Sequence, residues 1–118
     1  MNNKQISTNI TNTIKDIPYK GIIPKVGGGW GNSIGSDFYG GKIIEVAEDL
    51  TWFKTDEGRY AKFDHRKNSI HYGKYVFAFH GENGKLKYEK TNRNFRCTHM
   101  NVCRVYENPQ ADRLDPHF

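Results

Sequence analysis

The chain predicts a mainly β fold: a small antiparallel barrel or curved sheet, preceded by a short N-terminal helix or arm. Three observations carry that expectation. Short alternating apolar and polar runs recur, separated by glycine-bearing turns about every ten residues. Seven Tyr, seven Phe and two Trp stand among only 36% hydrophobic residues, so a modest core leans on rings. Helical periodicity is confined to the first 18 residues.

That first segment, residues 1–18, places Ile6, Ile10, Ile14 and Ile17 on one helical face. The Thr and Asn between them are weak helix formers, so a docked amphipathic helix and a flexible arm both fit. Pro18 ends any helix there. Residues 19–118 form a single β-rich ligand-binding domain. Gly21–Val26 reads as a short strand, held to an edge by Pro24. Gly27-Gly28-Gly29-Trp30-Gly31-Asn32-Ser33-Ile34-Gly35 reads as a long glycine-rich loop, and a strand follows at Lys42–Ala47. Leu50–Thr55 and Arg59–Asp64 form a hairpin around Asp56-Glu57-Gly58. The polar stretch Asp64–Gly73 is a loop. Lys74–His80 is apolar on both faces and therefore an interior strand. Gly81-Glu82-Asn83-Gly84 turns it into Lys85–Lys90. Phe95–Tyr106 holds one or two further strands, and the tail from Glu107 is polar.

Eighteen Lys and Arg against 13 acids give a net charge of +5 and a pI near 9.2. The excess favours anionic partners, although a merely soluble cationic surface has the same composition. No apolar run approaches the roughly 20 residues that span a bilayer. With no apolar signal-peptide core at the N-terminus, the chain reads as cytoplasmic, with no membrane partner.

Enzyme signatures are missing. The glycine run lacks the third glycine of a dinucleotide fingerprint and the Gly-Lys-Ser/Thr of a phosphate-binding loop. No nucleophile elbow or zinc-protease motif occurs. The expectation is a protein with no catalytic residues and no cofactor. Cys97, His99 and Cys103, with His80, are ligand types that zinc accepts, but the spacing fits no standard finger and a reduced core cysteine is the commoner case. No metal site is expected.

The remaining signals concern anions. Gly28 and Gly29 let backbone amides converge on a phosphate, with Trp30 over a base; alternatively they only supply a connection needing positive φ. From Lys85 to Arg104 the cations Lys85, Lys87, Lys90, Arg93, Arg96 and Arg104 face the single acid Glu89. Within that stretch Asn92, Arg93, Phe95 and Arg96 offer amide, guanidinium and ring together, which suits a nucleotide. A solvated strand face explains Lys85 and Lys87 equally well. Arg59, Lys62, His65, Arg66 and Lys67 form a further basic cluster. The expected ligand-binding residues are Gly28, Gly29, Trp30, Arg59, Asn92, Arg93, Phe95 and Arg96. The alternative partner is nucleic acid, or a nuclease whose groove a basic inhibitor module blocks.

Several short motifs resemble small phage-encoded β-proteins. They are Val26-Gly27-Gly28-Gly29, the run from Ser36-Asp37-Phe38-Tyr39 to Glu45-Val46, Tyr75-Val76-Phe77, Asn83-Gly84-Lys85 and the terminal Asp115-Pro116-His117-Phe118. Covering the chain from Val26 onward, the resemblance is to the first type of Thoeris anti-defence protein. It implies a non-enzymatic sponge in the host bacterial cytoplasm. Such a sponge sequesters a cyclic ADP-ribose-type signal, and cyclic oligonucleotides as well. It also implies assembly into a homo-oligomer, a dimer or larger, with pockets at subunit junctions. A pyrophosphate held by glycine amides or an arginine fork, with an adenine stacked on Trp30 or Phe95, agrees in kind.

Overall fold

Glycine turns and strand alternation produce an antiparallel meander. The computed structural model describes Tyr19, residues 21–89 and residues 101–114. Within them lie β1 (Gly29–Ile34), β2 (Asp37–Val46), β3 (Trp52–Thr55), β4 (Tyr60–Phe63), β5 (Tyr75–His80), β6 (Leu86–Tyr88) and β7 (Arg104–Tyr106). Their spatial order is β6-β5-β4-β3-β2-β1-β7, with every neighbouring pair antiparallel. The mainly β class holds, as an open curved sheet rather than a closed barrel. The expected helix or arm over residues 1–18 lies outside the described residues.

Turn chemistry accounts for the hairpins. Gly35 at φ 60° makes the two-residue connection from Ile34 to Asp37, where a positive φ matches the twist of the flanking strands. Gly58 and Gly84, at φ 84° and 78°, close the β3–β4 and β5–β6 turns where the sequence places them. Asn83 fixes the second turn by accepting the Lys85 amide at 3.1 Å.

Curvature comes from β2. Its first half pairs with β1 and its second half with β3, and the register shifts between Ile43 and Glu45. A bulge of this kind bends a strand and increases its twist. The sheet curls until Cys103 donates its amide to the Tyr75 carbonyl at 2.9 Å and Val102 bridges Val76. Inside the curve are Trp30, Ile43, Phe53, Ala61, Phe63, Tyr75, Phe77 and Cys103. Tyr19 packs edge-on against Phe63 and Tyr75.

Three sequence expectations need correction. The glycine-rich stretch is not a loop: Gly29–Ile34 is strand β1, paired with β2 along its length and with β7 from Gly29 to Gly31. The following strand begins at Asp37, not Lys42, because Gly40 and Gly41 lie within the ladder rather than ending it. Residues 21–26 form no strand; Pro24 supplies no amide, and Gly27 at φ 89° turns the chain into β1. The polar tail is also well anchored. Phe38 and Arg113 exchange both backbone hydrogen bonds at 2.7 Å, and the Gln110 amide donates to the Gly41 carbonyl. This strap covers the part of β2 that β3 leaves unpaired.

Candidate functional site

The predicted ligand residues separate. Asn92, Arg93, Phe95 and Arg96 lie outside the described residues. Trp30 is 1% exposed and lies in the core, edge-on to Phe77. Its indole N–H donates to the Asp56 carboxylate at 2.9 Å, so its ring is not offered to a ligand. The reading of Trp30 as an exposed stacking group is therefore corrected: strand alternation turns it inward.

Gly28 and Gly29 do not form a row of converging amides. The Gly27 and Gly28 N–H groups donate to the Ile43 and Lys25 carbonyls at 2.9 Å, and the Gly28 carbonyl accepts from Ile43. Gly29 pairs with Lys42 and Tyr106. Close approach explains the residue type there: a Cβ on Gly29 would overlap the Asn108 carbonyl. These glycines serve packing.

Arg59 sits elsewhere. Its guanidinium lies 3.5 Å from the Phe77 ring centroid, and its Nη2 donates to both Glu89 oxygens at 3.0 and 3.1 Å. Nε and Nη1 have no hydrogen bond among the described residues. Asn101 Nδ2 donates to the Glu89 carbonyl at 3.2 Å. Arg59 thus stands where the chain leaves Glu89 and returns at Asn101, at the root of the segment that carries Asn92, Arg93, Phe95 and Arg96.

A second group of cations gathers on the outer face of β3–β6. Alternation directs Trp52 and Lys54 of β3, Tyr60 and Lys62 of β4, His80 of β5 and Tyr88 of β6 away from the core. Lys54 Nζ lies 5.4 Å from the Tyr60 ring centroid. Lys62 Nζ and the Arg66 guanidinium lie 4.7 and 3.9 Å from the Tyr88 centroid. The Tyr88 hydroxyl donates to the Phe63 carbonyl at 2.8 Å and so holds the ring in place. Lys62 and Arg66, two members of the basic cluster in the sequence, meet at Tyr88. His65 and Lys67 of the same cluster are exposed, and Arg59 belongs to the other side. Trp52, Lys54, Tyr60 and Tyr88 were missed as a group. The period-2 alternation of β3 and β4 is the signal that places them on one face.

Arg66 is positioned by the β4–β5 loop. Its Nε and Nη2 donate to the two oxygens of Asp64 at 2.9 Å, and the Ser69 hydroxyl donates to the same carboxylate. The Asp64 side chain is fully buried. Burial works to raise its pKa, but the hydrogen bonds from Arg66 and Ser69 prevail and lower it to about 2. His71, 3% exposed, has its backbone N–H on the Ser69 hydroxyl and, among the described residues, no hydrogen bond at Nε2. Burial lowers its pKa.

Cys103 is buried in the core, and burial raises its thiol pKa. It pairs with Tyr75 at the start of β5, whereas His80 ends that strand, so the two cannot share an ion; Cys97 and His99 lie outside the described residues. Among the described residues no helix is long and apolar enough to cross a membrane.

Compared with models of known protein families, with curated proteins and with solved structures, the chain matches none of them.

Proposed function

We propose that this chain is a non-catalytic binding protein that sequesters a small phosphate-bearing nucleotide intact. Its ligand is a cyclic ADP-ribose-type immune signal, as the resemblance to the first type of Thoeris anti-defence protein implies, and it acts in the cytoplasm of a phage-infected bacterium. The observation that carries this reading is the position of Arg59. Its guanidinium rests on the Phe77 ring and is paired through Nη2 with Glu89, while Nε and Nη1 make no hydrogen bond among the described residues; Glu89 and Asn101 beside it flank Asn92, Arg93, Phe95 and Arg96 in the sequence. A planar guanidinium with free donors suits a phosphate oxygen pair. Holding a signal needs slow release and no chemistry. The protein works as a homo-oligomer, a dimer or larger, in which a neighbouring copy helps to enclose the ligand.

The test is retention and recovery. The purified protein is incubated with cyclic ADP-ribose and its isomers, desalted and heat-denatured, and the supernatant is analysed by mass spectrometry. The reading expects the ligand back unaltered, and native mass spectrometry is expected to show the oligomer carrying it. A hydrolysed product would turn the protein into an enzyme, and no retention of any isomer would remove the proposal.

A further inference from the structure

Arg59 and Phe77 belong to the inner side of the curved sheet; the opposite side of β3–β6 carries a separate array. Trp52, Tyr60 and His80 form a continuous row across three adjacent strands. The Trp52 and Tyr60 ring centroids are 5.5 Å apart, and those of Tyr60 and His80 are 4.6 Å apart. Trp52 and Tyr60 are half-buried, while His80 is exposed. Lys54 stands beside this row, and Lys62 stands between it and Tyr88.

Its charges separate this face from an ordinary solvated one. A solvated sheet face commonly sets opposite charges across neighbouring strands. Here Glu45 lies opposite Lys54 in register, yet neither Lys54 nor Lys62 makes an ion pair among the described residues. Arg66, by contrast, is neutralised by Asp64. The face therefore combines rings with two ammonium groups that make no ion pair among the described residues, Lys62 Nζ donating to the Leu86 carbonyl at 3.3 Å and Lys54 standing opposite Glu45, in a chain whose net charge is +5.

We infer that the outer face of β3–β6 is a second binding surface, distinct from Arg59, and that its partner is a single-stranded nucleic acid. Rings fixed on a sheet stack unpaired bases regardless of sequence, and flanking lysines follow the phosphates. A duplex hides its base faces, and reading it requires an element that enters a groove. Among the described residues this sheet face offers no such element.

The experiment measures fluorescence anisotropy of a labelled oligothymidylate, titrated with the full-length protein at several salt concentrations, beside a mixed-sequence duplex. Binding is expected to favour the single strand and to quench Trp52 emission over a constant contribution from buried Trp30. Trp52→Ala is expected to weaken binding roughly tenfold, the usual effect of losing one stacking ring. Lys54→Ala with Lys62→Ala is expected to reduce the salt slope by about 1.4, two single-strand phosphate contacts. His80→Ala, at an exposed position, supplies a stacking variant with little demand on folding. Arg59→Ala is expected to leave oligonucleotide binding unchanged. No binding by the folded protein at low salt would overturn the inference, as would equal affinity for duplex or full affinity in both the Trp52 and His80 variants. Loss of cyclic ADP-ribose retention with oligonucleotide binding intact would remove the sponge reading alone.

Discussion

The Trp30 indole is hydrogen-bonded to the Asp56 carboxylate at 2.9 Å, joining the glycine-rich strand β1 to the β3–β4 turn. Gly41 lies against this pair, and a Cβ there would overlap the carboxylate. A fully buried ring, a polar partner at the end of the core and a glycine that admits both form one structural unit.

Removing the ring should therefore unfold the protein rather than merely empty a ligand site. Trp30→Ala is expected to cost about 3–5 kcal/mol, as for other buried aromatic truncations. Asp56→Ala, which leaves the indole N–H unpaired, should cost about 1–3 kcal/mol. Urea denaturation followed by circular dichroism checks both. A Trp30→Ala protein as stable as the wild type would show that the ring is not part of the core.

Gly41→Ala tests the close approach directly. Forcing a methyl group against Asp56 and the indole should destabilise by about 1–3 kcal/mol, as overpacking does. Gly84→Ala is strained by its positive φ but meets nothing within 4 Å, so it should cost only about 1 kcal/mol. Reversal of that order in thermal melts would contradict the packing role.

Stability should fall with acid in two separate windows. His71 is buried with a lowered pKa, so the unfolded chain binds its proton more readily. Its contribution is complete above the unfolded value near 6.5 and is lost as pH falls below it. Asp64 is lowered from 3.8 to about 2; its contribution is complete above 3.8 and is lost as pH falls toward 2. His71→Gln should flatten the denaturation midpoint between pH 7 and 5 relative to wild type. Asp64→Asn, expected to cost about 1–3 kcal/mol at neutral pH, should differ less from wild type as the Asp64 window is crossed. Parallel pH profiles for wild type and both variants would refute the assignment.

Arg59→Ala separates ligand binding from folding. Its ion pair with Glu89 is partly exposed, and such pairs contribute about 0–1 kcal/mol. The guanidinium also stacks on the buried Phe77 ring, a contact of about 0.5–2 kcal/mol, so the denaturation midpoint should fall modestly while the protein stays folded. Affinity for the retained nucleotide should fall by about 1.5–3 kcal/mol, the usual effect of losing a charged hydrogen bond. Equilibrium dialysis measures it; undiminished affinity would place the phosphate elsewhere.

Local signals read well from the sequence. The β3–β4 and β5–β6 hairpins were legible because Gly58 and Gly84 sit where the backbone needs positive φ, between alternating runs. β5 was legible from apolar residues on both faces, and Tyr75, Val76, Phe77 and Ala78 are all buried. The glycine-rich stretch misled because glycine density signals a loop by composition. Gly29 and Gly41 are instead required by neighbours distant in sequence, Asn108 and Asp56. Of the candidate site, the basic cluster Arg59, Lys62, His65, Arg66 and Lys67 was legible in the sequence, but the meeting of Lys62 and Arg66 at Tyr88 and the separation of Arg59 onto Phe77 were not.

By its order of residues alone, the chain determined a β-rich molecule with an excess of cations, rings at strand spacing and turns at fixed glycines, because these depend on contacts a few residues apart. Only the tertiary structure decided that Trp30 faces the core, that Asp64 is buried to hold Arg66, and that Trp52, Tyr60 and His80 share one surface. Those outcomes depend on strand register and on the bend in β2, which bring together residues that no local pattern connects.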